Sequence, residues 1–392
     1  MSLESAIGDL SAAASLLTTQ VGAKMKQIDD KADAFVNEWG VNGYTTLEVG
    51  VGKAFATISA AWNTLKGKVF KSDVLIKVFD GTYQWDSFVL ENQPYADRIR
   101  IEGNVTTPAN CVIAFKPSST LFSGGWIIRG VRGLNVSGFT LKGASAVDNW
   151  TSRLLRLDNS STVESDAGTM VFDGGARAVE LLGRSTYTAA NSVFKNQLEI
   201  GCIVYTSSIA TLTGSVFTGL GKDASSTNPS GSVFASSAAI YATDNSVVYS
   251  NGSTASKYSR GVYAQFGAYV SMTDSVITDS NTGIFATLGA HVMANNVAAT
   301  SVNASFNADS RSLISATGAT ATGAVVGYLA SFMSHITANS SKAVSCATGY
   351  KAQVLSEIEA ATTSTASATS TVKYAPATTA TLGNDNAMIR FS

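Results

Sequence analysis

The residues of this sequence best suited to chemistry are its carboxylates, and they are unevenly placed. Asp148, Asp158, Glu164, Asp166, Asp173, Glu180 and Glu199 crowd into residues 148–199. Two acids held about 5–9 Å apart can cleave a glycosidic bond, one donating a proton while the other acts as base or nucleophile. Asp158, Asp173 and Glu180 are the candidates for such a pair. Against them stands the commoner role of such residues, since aspartate is favoured in turns and a solvated turn carboxylate does no chemistry. Downstream, residues 200–356 contain no glutamate, and their aspartates are Asp223, Asp244, Asp274, Asp279 and Asp309.

Whatever positions these groups has to be built from the repeat that fills residues 239–360. Alanine recurs every 22 residues, at Ala242, Ala264, Ala286, Ala308, Ala330 and Ala352. Two positions earlier stand Ile240, Val262, Ile284, Phe306, Tyr328 and Tyr350. Six positions after each alanine come Val248, Val270, Val292, Ile314, Ile336 and Ile358. Matching positions spaced by two describe strands with one buried face, because successive side chains point to opposite faces. A strand repeat of this length cannot bury its apolar side alone, whereas stacked copies make one continuous core. The expectation is an all-β fold, a β-solenoid with a coil every 22 residues, its strands about 4.8 Å apart. Small residues then line its tight interior.

The same alignment argues against chemistry in this half. Asp244 shares its column with Phe266 and Leu288, and Asp279 and Asp309 do not occupy equivalent positions. His291 and His335 share a column with Leu313 between them, so they stand about 10 Å apart and cannot hold one metal ion. No metal or cofactor is expected.

Composition narrows the function classes. Of 392 residues only 14% are charged, and the net charge is −1; a nucleic-acid binder would carry a basic stripe, so no nucleic acid is expected. Glycine (34) and Ala/Ser/Thr are abundant and proline (5) is scarce, which suits frequent tight turns between short strands. Cys111, Cys202 and Cys346 are odd in number and far apart, offering neither a disulfide framework nor a metal spacing. They are expected to be buried thiols of a protein made in a reducing compartment. No segment has the length and apolarity to insert in a membrane, and the N-terminus has no basic start followed by an apolar run. Synthesis in a host cytoplasm without a signal peptide is the expectation.

Residues 1–38 read as a helix. Leu3, Ile7, Leu10, Ala14, Leu17, Val21, Lys24, Ile28, Lys31 and Phe35 follow alternating steps of four and three, the seam of a coiled coil. Leu3, Ile7, Leu10, Leu17, Val21, Ile28 and Phe35 would form its apolar contacts. Gly40 and Gly43 end the pattern, Tyr44–Val49 reads as a strand, and Phe55, Ile58, Ala61, Trp62 and Leu65 recur at helical spacing. Val74–Phe79 is an apolar strand running into Asp80-Gly81-Thr82-Tyr83. Together, VGVGKAFATISAAWNTL (49–65) and VLIKVFDGTY (74–83) resemble the opening of pectin-lyase-like right-handed parallel β-helix proteins, in the form found in bacteriophage tail spikes and tail fibres. The resemblance is specific over 44–103 and general over 104–360.

That resemblance implies a single-stranded right-handed parallel β-helix whose short helix plugs the open end. It implies four regions: 1–40, an N-terminal helix for trimerisation and virion attachment; 41–103, the capping strand and helix with the first coils; 104–360, the shaft; and 361–392, a C-terminal cap or trimer contact. About twelve coils would make a rod roughly 55 Å tall. It further implies a parallel homotrimer in a phage virion. The N-terminus would join the tail, baseplate or an adaptor protein, and the shaft would meet host-surface polysaccharide.

The outward columns are the candidate contact surface. Tyr241, Tyr263 and Phe285 fall on successive coils, with Val247, Tyr269 and His291 on the following strand. Rows of aromatic rings suit either sugar binding or a subunit seam. Because the tail spikes and fibres this chain resembles are parallel trimers, the seam is the favoured expectation for these rows. Trp126, Trp150, Tyr187 and Tyr205 are further candidates for glycan contact. The favoured function is adsorption to a host-surface glycan, with a depolymerising tail spike and a purely structural fibre as alternatives.

Overall fold

The computed structural model of the chain describes residues 2–41, 45–85, 88–117, 125–146, 149–150, 152–166, 168–221, 226–227, 233–234, 237–360, 365–368 and 388–391. Two large sheets, of 14 and 21 strands, account for almost all of its strands. Each regular coil contributes three short strands. In one coil these are Ala238–Ala242, Val247–Tyr249 and Thr254–Ser256. We call the stacks they belong to the first-, second- and third-strand ladders. The second ladder is the 14-stranded sheet, and the other two merge into the larger one. They merge because Val276–Ala286 and Ala298–Ala308 run as single strands through the corner that joins them. Every pairing along the ladders is parallel, which makes the molecule a parallel β-helix. At about 4.8 Å per strand the 14-stranded sheet is roughly 60 Å tall.

Side chains stack in register. Ala242 pairs with Ala264, Ala264 with Ala286, Ala286 with Ala308, Ala308 with Ala330 and Ala330 with Ala352. Val248, Val270, Val292, Ile314, Ile336 and Ile358 form a second buried column. Rings stack inside as well: Phe172, Phe194 and Phe217 at 4.9 and 4.4 Å, and Phe306, Tyr328 and Tyr350 at 4.8 and 4.9 Å. The buried tyrosine hydroxyls are satisfied, Tyr328 donating to the Ala319 carbonyl at 2.8 Å. Interior space is scarce. A Cβ on Gly261, Gly283 or Gly327 would lie 2.7, 2.5 or 2.7 Å from a carbonyl oxygen of the next coil.

Turns are held by hydrogen bonds from coil to coil. Ser161 accepts from the Val131 amide, Ser185 from the Ser161 amide and Ser208 from the Ser185 amide. Ser215, Ser253 and Ser275 do the same for the amides of Ser192, Ser215 and Ser253. These bonds help satisfy buried backbone donors at a corner, where the ladder is interrupted.

At the N-terminal end a helix covers the core. Thr57 caps Ile58–Leu65 by accepting from the Ala60 amide, and Ile58, Ala61, Trp62 and Leu65 are buried. They join the same apolar cluster as Val74, Ile76 and Val78. Phe55 lies before this helix and bridges to Val49. Preceding it, Leu3–Trp39 is one long helix. Leu3, Ile7, Leu10, Leu17, Val21 and Ile28 are exposed on it, from 49% for Val21 to 77% for Leu3; the Phe35 side chain is outside the described residues. Among the described residues no helix is long and apolar enough to cross a membrane. At the other end Thr365–Ala368 and Met388–Phe391 add one strand to each sheet; the rest of 361–392 is outside the described residues.

Candidate functional site

The outer face of the first-strand ladder brings together two groups that lie far apart in the sequence. Its lower part carries a chain of ion pairs. Arg129 lies 3.8 Å from Glu91 and 4.0 Å from Asp158. Arg156 reaches Asp158 at 2.9 Å and Glu180 at 3.8 Å. Glu180 also accepts from Arg153 and, at 3.0 Å, from Arg177, which in turn lies 3.3 Å from Glu199. Register builds this network: Arg129 stacks with Asp158, Arg156 with Glu180 and Arg153 with Arg177. Arg153, Glu180 and Glu199 are only 2–4% exposed. Burial lowers the pKa of Arg153, opposed by Glu180. For Arg177 burial also pulls downward, but Tyr205, Glu180 and Glu199 outweigh it and the pKa rises.

Above this network the same face becomes aromatic. The Tyr205 ring meets Tyr241 edge-on at 6.1 Å. Tyr241, Tyr263 and Phe285 then stack at 5.0 and 5.4 Å, with ring planes 25° and 12° apart. Because these rings spend their faces on one another, the row offers mainly edges and hydroxyls to solvent. Gln265 ties it together, accepting from the Tyr263 hydroxyl at 2.7 Å and donating to the Tyr241 oxygen at 2.5 Å. Arg260 packs its guanidinium carbon 4.2 Å from the Tyr263 ring centre and 4.8 Å from that of Phe285. Burial raises the pKa of Tyr205 to about 12 and raises that of Tyr241.

Tyr269 and His291 lie elsewhere. They belong to the second-strand ladder, where Tyr249, Tyr269 and His291 make edge contacts at 6.1 and 5.3 Å. A turn with two consecutive left-handed residues, such as Asp244 and Asn245, divides the two sheets, so the sequence candidates form two surfaces rather than one. Between those surfaces the turn column carries Phe266, Leu288, Phe332 and Met333. All four are 44–52% exposed, beside a shallow groove of about 570 Å³. Burial lowers the His291 pKa. Leu313 separates His291 from His335 in the column.

The carboxylate candidates are also divided. Asp158 and Glu180 share the first-ladder face, bridged by Arg156. Asp173 sits on the third ladder, between Lys142 and Lys195 in register. It is 3.3 Å from Lys195, accepts from Asn196 at 2.7 Å, and lines a groove of about 690 Å³. Asp166 bonds Asn135 on the second ladder, and Asp148 is outside the described residues. Trp126 and Tyr187 point into the core with no exposure, which removes them as glycan contacts; the Trp150 side chain is outside the described residues. Sequence reasoning centred on acids missed Arg129, Arg153, Arg156 and Arg177, although aligning 153–158 with 177–182 sets Arg156 beside Glu180. It also missed Arg260 and Gln265, whose neighbours on the adjacent coils are Ala238 and Thr282 for the first and Thr243 and Thr287 for the second. The cysteines are buried and free, and burial raises the Cys111 pKa to about 12. Among the described residues no cluster of metal-ligating side chains occurs.

No family model and no curated protein matches the chain. Among solved structures, it is similar to the catalytic unit of a GH87 alpha-1,3-glucanase from Streptomyces thermodiastaticus strain HF3-3. That match has a TM-score of 0.47 and 12% identity, and covers 84% of this chain and 68% of the other. It is also similar to an alginate lyase from Paenibacillus sp. str. FPU-7, with a TM-score of 0.32, 12% identity, and coverage of 82% and 95%. The architecture of this chain rests on its own strand pairing, and neither enzyme's activity is transferred to it.

Proposed function

We propose that this chain is a host-surface adhesin of the tail-fibre or tail-spike kind. Its β-helix holds the outer face of the first-strand ladder against a surface glycan. The observation that carries this reading is the half-buried row Tyr241–Tyr263–Phe285, cross-linked by Gln265 and flanked by Arg260 on a rigid sheet. Rings and polar groups fixed in place lose little entropy on meeting a sugar chain. The exposed heptad positions of Leu3–Trp39 suit a parallel three-helix stem in a homotrimer attached to a tail, baseplate or adaptor. Three copies would convert weak contacts into firm attachment.

A depolymerase is the second reading, favoured by Asp158 and Glu180 standing on adjacent coils of that same face. Their engagement by arginines argues for binding over cleavage. Incubating the full chain with capsular polysaccharide and lipopolysaccharide separates the readings. Retention on the glycan without new reducing ends or unsaturated sugars supports the adhesin. Product that disappears in Asp158→Asn establishes the enzyme. Retention on no glycan would overturn both and leave a structural fibre.

A further inference from the structure

We propose that Arg260 is an acid-recognising subsite on this face, taking the carboxylate of an acidic sugar residue. The inference rests on the glycan reading and adds to it the chemical class of the ligand.

The arginines of this face are used in two ways. Arg129, Arg153, Arg156 and Arg177 are each set against carboxylates. Arg260 lies on the same face, in register with Ala238 below and Thr282 above. Among the described residues no carboxylate forms an ion pair with it, and the groups that act on its charge are the phenols of Tyr263 and Tyr241. The cation is half-buried, and burial lowers its pKa. A partly desolvated guanidinium without a counter-anion is an unbalanced charge, and binding an anion there recovers part of the desolvation cost.

Geometry then points to a carboxylate. Packing against Tyr263 and Phe285 fixes the guanidinium plane. A planar fork of five N–H donors, held in place, matches the two oxygens of a carboxylate better than a single hydroxyl. Beside it, the Tyr241 and Tyr263 hydroxyls and the Gln265 amide supply donors and acceptors suited to the ring hydroxyls of the same sugar. The network below is already balanced internally, so an anion gains most at Arg260.

The test uses the full chain on an array of oligosaccharides bearing uronate, sialate or only neutral sugars, with each acidic glycan also present after reduction of its carboxyl to an alcohol. The proposal predicts binding to carboxylate-bearing glycans that weakens at least about tenfold on carboxyl reduction. Arg260→Gln should show the same loss and no further loss on reduced glycans, and Arg260→Lys should be intermediate. Circular dichroism and the melting temperature of each variant report whether the fold is intact. A variant that has lost its fold is set aside, and the comparison of native and reduced glycans by the unmodified chain decides. Binding that ignores carboxyl reduction, or a folded Arg260→Gln that binds as before, overturns the subsite while leaving the glycan reading standing. Binding to nothing on the array overturns both.

Discussion

The lower and upper halves of the shaft solve one problem with different residues. Both stack short parallel strands around a buried apolar core, yet the outer face of the first ladder is ionic below and aromatic above. The column that holds Arg156 and Glu180 continues as Ile203, Tyr241, Tyr263 and Phe285. One coil above Glu180 the sheet therefore accepts isoleucine at the same position. The fold does not require charge there, and ion pairs are a poor way to gain stability when buried. Within the charged half, however, the groups depend on one another, because each buried acid compensates an arginine that cannot leave. The upper half has no such dependence. Its constraint is space, set by the glycine and alanine columns.

This contrast predicts that the two halves break differently. The largest effect should come from Glu180→Ala, which removes the buried carboxylate shared by Arg153, Arg156 and Arg177 in the lower half and should cost about 3–5 kcal/mol. Urea denaturation measures it; a loss below about 1 kcal/mol would mean that water already compensates the arginines. Next comes Gly283→Val in the upper half, where the new side chain would meet the Ser305 carbonyl. It should cost about 1–3 kcal/mol by the same assay, whereas Glu180→Ala acts without any clash.

A smaller effect tests burial on both sides of the comparison. Tyr205, where the lower network meets the aromatic row, has its pKa raised from 10.0 to about 12, and Tyr328 in the upper core is also raised. An unfolded chain releases these protons first, so stability should be unaffected below pH 10 and fall as the pH rises from 10 towards 12. Following phenolate absorbance and denaturation together checks this: ionisation should lag its normal range and accompany unfolding. Tyrosines that titrate near 10 in the folded state would contradict it.

The regularity of the upper half explains what could be read from the sequence. In a parallel, in-register ladder equal residues lie over equal residues, so Ala242 to Ala352 announces itself at constant spacing. In the lower half corner insertions shift the spacing. Val163 stacks with Tyr187, Tyr187 with Ala210 and Ala210 with Val248, at three different offsets, and no fixed period finds them. The third ladder was hidden for another reason. Its strands, such as Thr254–Ser256, turn inward only a single residue such as Ala255, Ile277, Ala299, Ala321 or Ala343, too few for alternation to show. The capping helix was legible from the spacing of Ile58, Ala61, Trp62 and Leu65. The site was legible only in part. Its tyrosines repeat, but the arginines become neighbours of the acids only when register is known, and the turn that parts Tyr263 from Tyr269 gives no periodic signal.

The claim on which the functional account turns is that the first-ladder face, and not the second, meets the glycan. Tyr263→Ala and Tyr269→Ala remove one ring from each face, and their binding to one glycan array, beside the unmodified chain, compares them directly. The account predicts that Tyr263→Ala loses binding, because it opens the ring stack and frees Arg260 and Gln265, while Tyr269→Ala binds as before. Loss of binding in Tyr269→Ala with Tyr263→Ala unaffected would contradict it.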